Sequence, residues 1–210
     1  KDRYLEDLNF YGGLDNINKV LEVGAAPFHL SLCLQEFGYD LTVLDIDPSR
    51  FQWFVDQNNL DVRKCNVEID SLAIEDESMD LVIFTEVFEH LRINPIDTLN
   101  KLNRTLKKGG LMYLTTPNFF RYTNTVNFIL RRPVVNAYYE FEKLNSVGHM
   151  GHVREYAKGE VSLFIENTGF EIIDFSYKQA RKIAPFTKYK LVTSLFAGTK
   201  THMKFLCRKL

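Results

Sequence analysis

The chain has 210 residues, 45% hydrophobic and 25% charged, which suits one soluble globular domain with a well-buried core. No run of about eighteen apolar residues and no signal-peptide pattern is visible, so neither a membrane span nor export is expected. Cys33, Cys65 and Cys207 are odd in number and widely spaced, which points to buried free thiols in a reducing, cytoplasmic setting rather than a disulfide framework.

Formal net charge is −1, but the charge is uneven. From Phe175 to Leu210 the chain carries nine Lys or Arg and no Asp or Glu, leaving 17 basic against 27 acidic side chains in the first 174 residues. A basic end of this kind suits an anionic, phosphate-bearing partner or a peripheral membrane contact; a plainly solvated face is the alternative.

In chain order, short β-rich runs alternate with helix-length segments, the pattern of a parallel sheet covered by helices. KVLEV (Lys19 to Val23) reads as a buried strand, followed by a helix from Pro27 to Phe37 with Pro27 at its first position and Gly38 as its stop. LTVLD (Leu41 to Asp45) is a second strand, and Pro48 opens the next helix. A short strand lies around Val62 to Cys65, and DLVIFT (Asp80 to Thr85) is the fourth. A helix from Pro95 to Lys107 is expected to close on Gly109-Gly110 before LMYLTT (Leu111 to Thr116), the fifth strand. Lys158 to Thr168 reads as a helix, with strands at Phe170 to Tyr177 and Met203 to Arg208. The whole chain, 1–210, reads as one domain. Asn118 to Met150 breaks the alternation: it is aromatic-rich, interrupted by Pro133, and placed where an insertion forms a lid or substrate wall beyond the fifth strand, a peripheral helical hairpin with only packing duties being the alternative.

Two stretches carry chemistry. In LEVGAAP, Gly24, Ala25 and Ala26 leave backbone N–H groups of a strand-to-helix turn open to close approach by a ligand. Glu22 sits at the strand's end, where its carboxylate suits a cationic ligand group. About twenty residues on, Asp45 ends the second strand, where a carboxylate clamps the hydroxyls of a ribose. In TEVFEHL, the spacing of Glu86, Glu89 and His90 predicts one helical face just past the fourth strand. Carboxylates with imidazole suit Mg²⁺, Mn²⁺ or Zn²⁺. His90 acting alone as a general base, or hydrogen-bonding within the fold, are the other readings. GHMGHVREY returns to the same edge and offers His149 and His152 as a fourth ligand.

Taken in order, LEVGAAP, VLDIDPS, CNVE, MDLVIFTEVFEHL, LKKGGLMYLTTPN and HVREY resemble the class I S-adenosylmethionine (SAM)-dependent methyltransferases. That resemblance implies a doubly wound, mostly parallel seven-stranded α/β sheet whose final strand runs antiparallel. It also implies that Glu22, Gly24, Ala25 and Ala26 surround the methionine end of SAM, that Asp45 holds the ribose, that Ile46, Asn66 and Val67 flank the adenine, and that Thr85 lines the floor. The sequence departs from the family at Ala26 and Phe28, where glycines are frequent, and at Asn66, where aspartate is. The E-x-x-E-H pattern with a later histidine resembles the small-RNA 3′-end 2′-O-methyltransferases and the O-methyltransferases of ubiquinone biosynthesis. Matching HVREY to their segment selects His152 over His149. The expected activity is methyl transfer to a hydroxyl of a small-molecule, lipid-linked or sugar-type acceptor, with Glu86, Glu89, His90 and His152 around a metal and His90 or His152 as catalytic groups. RNA is disfavoured by the slightly negative charge, and a non-catalytic scaffold is the rival of a different class.

Overall fold

The computed structural model describes residues 2–135, 137–147, 151–179 and 197–210. A helix that the sequence reading did not assign comes first, α1 (Asp2–Gly12), followed by β1 (Lys19–Val23), α2 (His29–Glu36) and β2 (Asp40–Asp45). A 3₁₀ turn at Pro48–Phe51 leads into α3 (Gln52–Asn58), then β3 (Val62–Lys64) and β4 (Met79–Thr85). After α4 (Pro95–Thr105) and β5 (Leu106–Pro117) come two helices, α5 (Tyr122–Ile129) and α6 (Ala137–Val147). The chain then forms α7 (Lys158–Glu166), β6 (Phe170–Lys178) and β7 (His202–Lys209).

The seven strands lie in the order β3-β2-β1-β4-β5-β7-β6. Strands β1 to β5 pair in parallel, whereas β7 inserts antiparallel between β5 and β6. This is the doubly wound, mostly parallel α/β sheet that the resemblance implied, with the final strand reversed. Strands β1 and β4 are buried along nearly their whole length, because helices cover both faces of a parallel sheet and leave no polar alternation. On one face Val82, Phe84, Met112 and Phe205 pack with Leu99 and Leu102 of α4 and Val161 and Ile165 of α7. On the other, Val20, Leu81, Ile83 and Tyr113 pack with Tyr11 of α1 and Leu34 of α2.

Local chemistry sets the elements' ends. The Asn94 side chain accepts from Ile96 N at 3.1 Å and Pro95 occupies the first turn of α4, satisfying one open amide and needing none from the proline. The expected helix stop at Gly109-Gly110 is corrected: α4 ends at Thr105, and both glycines lie inside β5, where the register with β4 shifts between Met79 and Leu81. Gly109 takes φ 76° there, and a Cβ on Gly110 would lie 2.8 Å from the Lys107 carbonyl, so the irregularity needs residues without side chains. Cys65 and Cys207 are buried and Cys33 is half-buried, all three as free thiols. No helix among the described residues is long and apolar enough to cross a membrane.

Candidate functional site at the carboxyl rim of the sheet

The turn after β1 brings main chain to the surface of a ligand-sized space. Gly24 has φ 69°, and a Cβ there would meet Val87 Cγ2 at 2.3 Å, so only glycine fits between the turn and the loop after β4. Its amide donates to Leu44 O at 2.8 Å, tying the turn to the end of β2. The expected start of the helix at Pro27 is corrected. Phe28, in the left-handed region at φ 65°, precedes α2, which begins at His29. The same conformation carries the Phe28 ring under the turn, fully buried with Val43, Val55 and Leu60 and edge-on to Phe51. Bulk at this position therefore fills the core and leaves Ala25 and Ala26 at the rim.

Two cavities meet at Gly24. One, of about 160 Å³, is lined by Glu22, Gly24, Ala25, Ala26, Thr85 and Thr115, with Asp7 and Tyr11 of α1 closing it. The other, of about 110 Å³, is lined by Gly24, Asp45, Ile46, Asn66 and Val67, and His90 closes it. Every residue assigned to the cofactor from sequence lines one of the two. Asp45 is held in place: Oδ2 accepts from Ala26 N at 3.0 Å and Oδ1 from Asp47 N at 2.9 Å. A carboxylate has further lone pairs, which leaves capacity for a pair of hydroxyls. Glu22 is 2% exposed and accepts from Ser31 Oγ at 2.6 Å. Burial, with a smaller push from Asp45, outweighs that bond and raises its pKa to about 7.

Beyond β4 the expected single helical face is not formed. Glu86 N donates to Thr115 O at 2.9 Å, so sheet pairing continues past Thr85 and a helix cannot begin at this residue. Glu86 adopts φ 58°, and a 3₁₀ turn at Phe88–His90 follows. This separates the acids. Glu86 accepts from Thr115 Oγ1 at 2.8 Å and lies 3.0 Å from His202 Nε2, while Glu89 turns inward, 1% exposed, and accepts from Thr116 Oγ1. Among the described residues, the set able to hold an ion is Glu89, His90 and His152, so Glu86 drops out of the expected ligands. His149 lies outside the described residues.

The segment after α6 is stapled onto the 3₁₀ turn. Val153 N and Arg154 N donate to Glu89 O, and His90 Nδ1 lies 3.0 Å from Gly151 O. A carbonyl only accepts, so His90 donates from Nδ1 to Gly151 O and turns Nε2 towards Glu89. His152 Nδ1 faces the Glu155 carboxylate at 3.3 Å, which fixes the same orientation. Both Nε2 atoms lie 3.9 Å from Glu89 Oε1, a buried oxygen with no hydrogen-bond partner among the described residues. Burial and then the Glu86 charge raise the pKa of Glu89 to about 8. Burial also opposes ionisation of Glu155, but His152, Arg121 and Asn124 overcome it and pull its pKa down to about 2. The bond to that carboxylate in turn raises the pKa of His152.

Sequence reasoning passed over Glu155, Arg121, Asn124, Thr115 and Thr116. A signal was present for Glu155, which stands three residues after His152 in HVREY; the others come from strands and helices with no local pattern to mark them.

Residues 1–174 match the profile of a methyltransferase domain. No curated protein sequence matches the chain significantly. Solved structures share the fold. A SAM-dependent methyltransferase from Archaeoglobus fulgidus superposes with a TM-score of 0.67 at 15% identity, covering 99% of this chain and 92% of that one. One from Mesorhizobium loti gives 0.69 at 13% identity, covering 97% and 96%. One from Methanosarcina mazei gives 0.68 at 17% identity, covering 96% and 97%. With the profile matched over most of its length and the overall fold shared, the chain belongs to the class I S-adenosylmethionine-dependent methyltransferases.

Proposed function

We propose that this methyltransferase acts on a hydroxyl of a small-molecule or glycan acceptor, with Glu89, His90 and His152 serving the oxygen nucleophile. The observation that carries the reading is the pair of imidazoles whose Nδ1 atoms are tied back, so that both Nε2 atoms face the unpartnered Glu89 oxygen. Bound SAM supplies an electrophilic methyl group on a sulfonium, and the protein's task is positioning. Asp45 would take the ribose hydroxyls, with Ile46, Asn66 and Val67 around the adenine. Glu22 would meet the methionine ammonium beside Gly24, Ala25 and Ala26, with Thr85 below. Holding the nucleophile about 3 Å from the methyl carbon in a dry, oriented pocket supplies most of the acceleration in such a displacement.

An alcohol ionises poorly at neutral pH, so the acceptor oxygen gains most from help at this point. The donor set fits a divalent cation such as Mg²⁺, Mn²⁺ or Zn²⁺: one carboxylate oxygen lacking a partner and two imidazole lone pairs, all within 4.8 Å of one another. Such an ion would lower the pKa of the acceptor hydroxyl and orient it. Glu155 would hold His152 from behind, as outer carboxylates hold ligating histidines. A metal-free site, with His90 or His152 as general base, uses the same geometry. The helices α5 and α6 stand beyond β5 and would form the acceptor wall or lid.

Calorimetry tests the cofactor half. SAM binds with micromolar affinity, and Asp45→Ala weakens it about 30- to 100-fold, as expected for losing a buried acceptor of two hydroxyl bonds. No heat with SAM would favour a non-catalytic scaffold. Transfer of tritiated methyl to a panel of sugar nucleotides, catechol-like phenols and short RNA then identifies the acceptor; methylated RNA would replace the small-molecule reading.

A further inference from the structure

A third cavity, of about 340 Å³, opens beside the methionine-side cavity on the face covered by α1, among Lys178, Lys200, Lys204, Tyr113 and Gln179. The lysines reach it from two strands and the turn before β7. Lys178 and Lys204 are largely buried for cations, their side chains 12% and 16% exposed. Burial of that depth is costly unless counter-charge is at hand.

The counter-charge present is incomplete. Lys178 ion-pairs with Asp7 and donates to Tyr113 Oη at 2.9 Å, and Lys204 pairs with Asp174 at 3.1 Å while lying over the Phe10 and Tyr113 rings. Lys200 has no ion-pair partner among the described residues. An ammonium carries three N–H donors. Among the described residues Lys178 places two of its donors and Lys204 one, so there the cavity keeps donors on all three cations, and Gln179 and Ser176 line it beside them. Clustered ammonium donors around a largely polar hollow suit a tetrahedral oxyanion better than a neutral group.

Its place in the fold gives it a role. Tyr113 and Thr115 stand two residues apart on β5 and so face the same side, about 7 Å from one another. Thr115 lines the methionine-side cavity, and Asp7 lines that cavity while bonding Tyr113 and Lys178. A group held by the lysines would thus lie close to the rim where Glu86 and Thr115 stand. We propose that this cavity is a subsite for a phosphate group of the acceptor. The assignment deepens the acceptor reading and rests on it for the meaning of the subsite, though not for its existence.

Titrating pyrophosphate into ¹⁵N-labelled protein at constant ionic strength tests it without a known acceptor or SAM. Saturable amide shifts are expected at Tyr113, Lys178 and residues 200–204, with Lys200→Gln and Lys204→Gln each weakening binding about five- to tenfold. Lys107→Gln, whose lysine pairs with Asp80 at the opposite end of the sheet, serves as the control and leaves binding unchanged. Vesicles containing phosphatidic acid form a second arm against pure phosphatidylcholine. Lysine-dependent retention on them assigns the phosphate to a lipid-linked acceptor, whereas pyrophosphate binding alone assigns it to a soluble one. Shifts that do not saturate, or that persist in both lysine variants, overturn the subsite. Loss of SAM binding with pyrophosphate binding intact would instead sink methyl transfer and leave the subsite standing.

Discussion

Along β1, β2 and β4 the rim of the sheet is made of main chain, whereas beyond β5 it is made of side chains drawn from distant segments. On the Gly24–Asp45 side, one glycine, two alanines and a doubly bonded Asp45 define the space, and the bulk beneath them is core. On the His152 side, Arg121 and Asn124 lie on or beside α5, Glu155 follows α6, and Thr116 and His202 sit on β5 and β7. That side also exposes its apolar groups, with Phe128 at 74% and Tyr138 at 77%. A ligand common to a whole family can be gripped by backbone, which every sequence supplies. Acceptor selection needs side chains, and those are free to come from anywhere the fold converges.

The largest effect expected from this contrast is on stability. Phe28→Ala removes a fully buried ring from beneath the turn and should cost about 3–5 kcal/mol in urea unfolding, while Phe128→Ala should stay within about 0.5 kcal/mol. Equal costs would mean that the two sides do not differ in packing as described.

Next in size is a catalytic loss. Glu89→Gln should lower methyl transfer by about 10²–10³-fold, the scale of a lost ligand or proton-transfer partner, with SAM affinity held within about threefold. Chelation by EDTA should remove wild-type turnover and added divalent ion restore it. Chelator-insensitive turnover would leave the histidines as general bases and dismiss the metal.

The smallest effect is a pH dependence. Glu22 has a pKa near 7, so below that pH it is protonated in the free protein and must lose the proton to meet a ligand ammonium. SAM affinity should therefore rise about tenfold per pH unit from about 5.5 to 7 and then level off. In Glu22→Gln that slope should flatten; an unchanged slope would place the ammonium elsewhere.

How much of this could be read in the sequence follows the same division. The succession of strands and helices, the glycine turn and Asp45 were accessible because each depends on residues near one another along the chain. Phe28 stood out only as a departure from the family's glycines because sequence shows its size but not its φ, and the left-handed backbone is what sends the ring inward. Glu86 read as a helical neighbour of Glu89 because an E-x-x-E-H spacing fits a helix, yet pairing with Thr115 on β5 overrode that local periodicity. The Glu155 network and the lysine cavity were hidden because their members are brought together only by tertiary folding; Asp7 and Lys178 lie 171 residues apart. Part of the basic stretch noted from sequence, 180–196, lies outside the described residues.

The antiparallel insertion of β7 has a consequence for biosynthesis. Because β7 supplies the hydrogen-bonding neighbours of both β5 and β6, a nascent chain paused before residue 202 holds β1 to β5 with the outer side of β5 unpaired and β6 without a place in the sheet. An unpaired strand of that length invites association with other chains. Association at that flank should therefore fall once residues 202–209 have joined the sheet between β5 and β6.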